Sequence, residues 1–211
     1  VSADDRLPVA LATNNPHKVG EITGLLAGIG VRLLTPAELG IRLEVAEDGA
    51  SYEANALKKA RVLARLSGLP AIADDSGLEV EALDGGPGIH SSRFAGAGAD
   101  DAANRRLLLE RLAGRDPEQR RGRIVCTAVL VTAAPEIREV VCRGEWRGVI
   151  TEQERGMSGF GYDPVFLIPD EGRTVAELGE RYKQEHSHRA RAFRALAEHL
   201  RALARGREDL D

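Results

Sequence analysis

Short apolar runs alternate along the chain with stretches whose apolar positions return every three or four residues, so strands and helices interleave. Residues 8–13, Pro8-Val9-Ala10-Leu11-Ala12-Thr13, form an apolar run of strand length. Asn14 and Asn15 break it, and Pro16 suits the first turn of a helix continuing to about residue 27, because a first turn leaves its N–H groups unused and proline lacks one. Residues 31–34 and 41–45 predict two short strands separated by Thr35-Pro36 and Gly40. From residue 51 to about residue 67, Tyr52, Ala56, Ala60, Leu63 and Ala64 recur at helical spacing. Ser51 is placed to cap that helix, and Gly68 and Pro70 end it.

A strand over residues 71–74 then ends on two adjacent acids, Asp74 and Asp75, and a second strand-like run covers 78–83. Gly85-Gly86-Pro87-Gly88 reads as a connection, followed by a helix over about 99–112. Residues 124–133 and 137–150 are rich in β-branched side chains and joined through Ala134-Pro135-Glu136, which predicts a long antiparallel hairpin. A further strand is expected at 165–168 and a closing helix at 188–204, with a frayed tail from Arg205. Early alternation and a late hairpin together predict an α/β fold, a mixed twisted β-sheet flanked by helices. No repeat or low-complexity linker interrupts it. Residues 1–211 are expected to form a single domain of two lobes, with 1–6 and 206–211 flexible.

Composition narrows the function classes. With 43% hydrophobic residues the chain can bury a real core, and a net charge of −4 argues against a protein that coats nucleic acid by neutralising backbone phosphates. A local basic pocket for a compact polyanion stays possible. Cys126 and Cys142, both in apolar strand-like runs, read as buried free thiols and suit a reducing compartment. The opening residues lack the apolar core of a signal peptide, and no segment approaches the ~18 apolar residues of a membrane span. A soluble cytoplasmic protein is the expectation.

Three polar clusters carry candidate chemistry. Thr13-Asn14-Asn15-Pro16-His17-Lys18 places a hydroxyl, amides and an ammonium at a strand-to-helix junction, which fits either a phosphate site or an ordinary polar cap. It is not a Walker A loop, since the glycine-lysine pattern of that loop is absent. Glu47, Asp74 and Asp75 make an acidic set of the kind that Mg²⁺ takes, a small hard ion that prefers oxygen ligands and keeps part of its water. The plain alternatives are a solvated loop acid at Glu47 and a turn or cap at Asp74-Asp75. The third cluster is Gly156-Met157-Ser158-Gly159-Phe160-Gly161-Tyr162-Asp163-Pro164, then Lys183, then Ser187-His188-Arg189. Its glycines allow close backbone approach to a planar ligand and its rings offer stacking surfaces; Phe160 and Tyr162 fit the core equally well. His188 and Arg189 could equally cap their helix.

Thr13 to Lys18, Glu47 followed by Tyr52-Glu53-Ala54-Asn55-Ala56-Leu57-Lys58-Lys59-Ala60, Ala73-Asp74-Asp75-Ser76-Gly77-Leu78, Phe160-Gly161-Tyr162-Asp163-Pro164 and Ser187-His188-Arg189 together resemble the RdgB/inosine triphosphate pyrophosphatase family. Five motifs fall in order over most of the chain, from about residue 9 to residue 196. The chain departs at Ala54, where the family often has glutamate before asparagine; Glu53 sits one place early and receives no role. The resemblance implies an enzyme that hydrolyses non-standard purine nucleoside triphosphates, dITP, ITP, XTP and dXTP, to the monophosphate and pyrophosphate with Mg²⁺. It also implies a homodimer and an active site in the cleft between the lobes. By position, Thr13, Asn14, Asn15, Pro16, His17 and Lys18 would hold phosphates. Glu47 and Asp75 would bind metal, and Asp75 matches the general base. Ser76, Phe160, Gly161, Tyr162, Asp163, Lys183, His188 and Arg189 fall on substrate positions, and Lys59 and Arg93 add phosphate contacts.

Elementary electrostatics agrees with that reading. A carboxylate ~5 Å from one phosphate charge meets ~3 kcal/mol of repulsion at an effective dielectric of 20, so Asp75 needs a cation beside a triphosphate. Selection of 6-oxo purines should come from donors aimed at that oxygen, because a 6-amino group would set donor against donor. His188, Arg189 and the backbone near Tyr162 and Asp163 are the candidates. Two rivals stand beside this reading: a metal-dependent pyrophosphatase for other nucleotides, and a nucleotide-binding module without catalysis.

Overall fold

The computed structural model describes residues 6–133 and 136–208. The opening strand, β1 (Leu7–Leu11), leads through the Asn15 cap into α1 (Pro16–Leu25), with Pro16 at the first helical position. Strand β2 (Val31–Leu34) follows, then α2 (Tyr52–Ser67), β3 (Ala71–Val80) and α3 (Asp101–Arg111). After them come β4 (Arg121–Val131), β5 (Glu139–Ile150), β6 (Phe166–Ile168), β7 (Arg173–Thr174), α4 (Val175–His186) and α5 (His188–Glu208). The sheet has seven strands in the order β2-β1-β3-β4-β5-β6-β7. It is mixed: β1 runs parallel to β2 and β3, whereas β6 runs antiparallel to β5 and β7.

The chain divides into two compact units. The first comprises Val1–Asp75, Thr127–Arg143 and Arg189–Asp211. Its core packs the small face of α2, Ala56, Ala60, Leu63 and Ala64, against Ala10, Ala71, Ala73 and Val129 of the strands. Alanines on both surfaces let helix and sheet approach closely, which brings the polar residues of α2 near those of β3. The second unit comprises Ser76–Cys126 and Gly144–His188, with a core of Leu78, Val80, Leu108, Leu112, Trp146, Phe166 and Val175 among others. Arg120 is buried there with its guanidinium donating from each of its three nitrogens to the carbonyls of Leu112, Ile150 and Thr151, so the interior charge is hydrogen-bonded.

Four local expectations need correction. Residues 41–45 join no ladder: Ile41, Leu43 and Val45 pack on the α2 core, and the Leu43 carbonyl accepts from Asn14 Nδ2. The acids Asp74 and Asp75 do not end a strand, because β3 continues through Ser76 and Gly77 to Val80, and residues 81–83 form a 3₁₀ turn. Helix α4 has no counterpart in the periodic reading. Gly179, at φ 83°, interrupts it, although Thr174 and Glu177 make a capping box at its start. Helix α5 runs on through Glu208, past the expected end at residue 204. Of the expected hairpin connection, Ala134 and Pro135 lie outside the described residues, as do residues 1–5 and 209–211.

Candidate active site

In the first unit, the turn between β1 and α1 is closed by its own side chains. Asn15 Oδ1 accepts from the N–H groups of His17 and Lys18, at 2.9 and 3.3 Å, and Thr13 Oγ1 accepts from Asn15 N–H at 3.1 Å. The polar-cap reading of this segment therefore holds in the structure, and it fixes where Lys18 leaves the helix. The Lys18 ammonium lies 3.0 Å from Asp74 Oδ2.

Asp74 has no solvent exposure, and Arg189 Nε and Nη2 reach the same oxygen at 3.2 and 3.1 Å. Arg189 Nη1 also donates to Glu21. Burial alone pushes the Asp74 carboxyl up, but the charges of Lys18, Arg189 and Lys59 outweigh it and hold the group well below the ordinary carboxylate range.

Asp75, the next residue, takes different partners, as alternation along a strand requires. Its Oδ2 accepts from Asn55 Nδ2 at 3.0 Å, and Lys59 Nζ lies 3.8 Å from Oδ1 and 2.7 Å from Glu47 Oε1. Burial pushes the Asp75 carboxyl above its ordinary value, against the opposing pull of Lys59, Lys18 and the Asn55 hydrogen bond. Lys59 stays charged: burial disfavours its ammonium, yet Asp74, Asp75 and Glu47 together raise its pKa. Asn55 in turn accepts from Gly49 N–H at 2.8 Å, and a side chain at Gly49 would meet Asn55 Oδ1 at 2.7 Å. Of the three acids expected to bind metal, Glu47 and Asp75 both lie against Lys59, whereas Asp74 faces Lys18 and Arg189. Asp74 is enclosed by Lys18 and Arg189, and no three acidic, histidine or cysteine side chains form a metal group among the described residues.

In the second unit, Phe160, Gly161, Tyr162 and Asp163 form a tight loop. Asp163 Oδ2 accepts from Phe160 N–H at 2.9 Å and from Lys183 Nζ at 2.6 Å, and that ammonium stands 4.1 Å from the centre of the Phe160 ring. A side chain at Gly159 would strike Asp163, so glycine there is a packing requirement. Tyr162 is buried, with its hydroxyl donating to the Ser91 carbonyl at 2.8 Å, and burial keeps the phenol neutral far above its ordinary range. Tyr162 thus joins the core, the plainer of its two readings, while Phe160 pairs with Lys183.

Ser91 Oγ accepts from Leu78 N–H and donates to the Gly88 carbonyl, so the turn that carries Arg93 is tied to β3 near Ser76. His188 opens α5 and is buried. A groove of about 660 Å³ in this unit, bordered by Glu79, Arg121, Arg123, Arg147 and Asp170 among others, contains none of the candidate residues.

Asn55, Glu21, Ser91, Asp101 and Arg105, which no sequence motif singles out for a role, hold candidate residues in place. Asn55 carried a signal, an amide one turn before Lys59 on the buried face of a mostly apolar helix. Glu21 and Ser91 meet partners 168 and 71 residues away, and no local pattern announces such a contact.

A Ham1 family model matches residues 9–199. The chain is 47% identical over 193 residues to the dITP/XTP pyrophosphatase of Pectobacterium atrosepticum, covering 92% of this chain and 98% of that protein. It is likewise 47% identical over 201 residues to the dITP/XTP pyrophosphatase of Methylococcus capsulatus, covering 95% and 100%. Among solved structures, a HAM1 protein from Coxiella burnetii superposes with a TM-score of 0.84 at 38% identity, covering 92% of this chain and 98% of that one. The chain belongs to the Ham1 family.

Proposed function

We propose that this Ham1 family chain is a nucleoside triphosphate pyrophosphohydrolase. It hydrolyses dITP, ITP, XTP and dXTP to the monophosphate and pyrophosphate and so removes them from the nucleotide pool. Relatives named dITP/XTP pyrophosphatase at 47% identity over nearly the whole chain support the reaction class. One observation carries the chemistry: Asp75 is a buried carboxylate of raised basicity, held at one oxygen by Asn55 and flanked by Lys59 and Glu47.

A divalent cation, Mg²⁺, fits Glu47 and Asp75. Both offer hard oxygen donors, and the Lys59 ammonium lying against the two carboxylates marks the space beside them as one that stabilises positive charge. When bound, the ion supplies charge that screens these carboxylates from the polyphosphate and polarises a phosphoryl oxygen. Asp75 is the general base, removing a proton from the attacking water with a carboxylate oxygen while Asn55 fixes its orientation. Lys18 and Lys59 offset the charge that gathers on the leaving pyrophosphate, with Thr13, Asn14, Asn15, Pro16, His17 and Arg93 as further phosphate contacts. Asp74 acts through others: it neutralises and aims Lys18 and Arg189.

Recognition of the nucleoside falls to Ser76, Phe160, Gly161, Tyr162, Asp163, Lys183, His188 and Arg189. Lys183, fixed by Asp163, is a donor suited to a 6-oxo oxygen and unsuited to a 6-amino group. A homodimer in the reducing cytosol completes the proposal, in line with the family resemblance and two free cysteines.

The deciding experiment measures pyrophosphate release and kcat/KM for dITP, XTP, dGTP and dATP, with and without Mg²⁺. Strong preference for dITP and XTP, dependent on Mg²⁺, is expected. Equal use of dATP would remove the proposed base selection, and nucleotide binding without pyrophosphate release would favour the non-catalytic module.

A further inference from the structure

Helix α3 meets the Phe160–Asp163 loop in an unusual way. Asp101, in the first helical turn, accepts from Gly161 N–H through Oδ2 at 2.7 Å, and Arg105, one turn on, donates from Nη1 to the Gly161 carbonyl at 2.9 Å. Residues four apart share a helix face, so one face grips both polar groups of a single residue. The N–H and C=O of Gly161 belong to the two peptide planes on either side of its Cα, and fixing both fixes φ and ψ together. Gly161 sits at φ 60°, and a side chain there would meet nothing within 4 Å. Glycine is thus required by the backbone angle, and it is also the residue with the most freedom to lose.

Both contacts are charge-assisted, and Arg105 is itself anchored by Glu154, with Nε 2.9 Å from Oε1. Asp101 is in turn set by the α3 cap, where Asp100 accepts from Ala103 N–H at 2.7 Å. The neighbouring polar groups of the loop are satisfied within it, Phe160 N–H by Asp163 and Asp163 N–H by the Phe160 carbonyl. What remains adjustable is the hinge at Gly161, which sets the direction of Phe160 relative to Tyr162.

We propose that Asp101 and Arg105 are positioning residues for base recognition, clamping Gly161 so that the Phe160 and Lys183 surface is preformed before nucleotide arrives. This rests on the reading of that loop as the nucleoside-binding segment. Preorganisation of this kind acts on binding and on discrimination between bases, and leaves the reacting phosphate untouched.

Steady-state kinetics of the full chain with dITP and dGTP tests the proposal, using Asp101→Ala, Asp101→Asn, Arg105→Met and Arg105→Lys, with melting temperatures measured alongside. Loss of one charge-assisted contact should raise KM for dITP about tenfold while kcat stays within about twofold, and the preference for dITP over dGTP should shrink. Asp101→Asn keeps an acceptor oxygen and Arg105→Lys keeps a donor, so each should recover most of the loss shown by its severe counterpart. A purely structural role would instead lower melting temperature and kcat together, with no change in base preference, and would overturn the inference. Should Asp101→Ala fail to fold, Arg105→Met tests the same clamp from its other pole. Phe160→Ala separates the two levels of the argument. If it leaves KM unchanged, the nucleoside-binding reading of the loop fails; if it raises KM while Asp101→Ala and Arg105→Met do not, the clamp alone fails.

Discussion

Arg189→Met probes the charge cluster that sets the first unit's site. Asp74 is fully enclosed, with Oδ2 3.1 Å from Arg189 Nη2 and 3.0 Å from Lys18 Nζ. At an effective dielectric of about 20, a unit pair at that distance attracts by roughly 5 kcal/mol, largely offset by the desolvation of both partners. Methionine keeps much of the stem's packing and removes the fork, so Asp74 loses its guanidinium partner while the Lys18 and Lys59 charges stay, and Glu21 loses its guanidinium. Breaking a buried pair from one side costs about 3–5 kcal/mol, a large share of the roughly 5–15 kcal/mol that keeps a domain folded. Urea unfolding followed by far-ultraviolet circular dichroism should show that loss at pH 7. The double variant Asp74→Asn with Arg189→Met should recover at least half of it, because the fully buried carboxylate is then neutral.

The pH dependence has a definite sign. Asp74 has a depressed folded-state pKa, so its contribution is full above the unfolded value of about 3.9 and is lost as pH falls from there through the folded value. The gap between wild type and Arg189→Met should therefore narrow on acidification below about pH 4. A loss under about 1 kcal/mol at pH 7, a double variant no better than the single, or a gap that widens in acid would refute the reasoning.

Asp75→Asn should abolish pyrophosphate release while nucleotide still binds in a fluorescence titration. It should melt no lower than wild type, since a raised carboxyl pKa means that folding disfavours the ionised form. Gly49→Ala should lower stability by about 1–3 kcal/mol in a thermal melt, because its Cβ would press on Asn55 Oδ1 at 2.7 Å and Ala54 Cβ at 2.9 Å. Turnover should fall as well, through the displaced Asn55. Arg120→Met should cost about 3 kcal/mol or more in urea unfolding, since two buried carbonyls and one half-buried carbonyl lose their donor at once. A cost below about 1 kcal/mol would mean that water replaces the guanidinium.

Local physics made much of the fold legible. Pro16 at a first helical turn, Ser51 as a cap and Gly68 at φ 69° each act within a few residues of themselves, and the elements they bound match the structure closely. The misreadings arose where a distant partner decided. Residues 41–45 have the alternation of a strand, but alternation reports one buried face and does not create a neighbouring strand to pair with; the α2 core supplied the burial instead. Ser76-Gly77 looked like a break, yet β3 runs on to Val80, with Leu78 N–H also bound by Ser91.

The same distinction governs the site. Two adjacent aspartates in sequence suggest a shared ligand, and that inference holds at a strand end, where the chain can turn and aim both the same way. Within a strand the alternation of faces separates them, so one sequence feature yields two different chemical groups. Asp74, given Lys18 and Arg189, is a fixed anion of depressed pKa; Asp75, given one amide and a shared lysine, is a carboxylate of raised basicity. Which aspartate became which was set by partners from α1, α2 and α5, up to 115 residues away. Motif order can single out such a pair. Only the surroundings supplied by the fold distinguish the two, and they are what support the proposal of Asp75 as the base and Asp74 as the anchor.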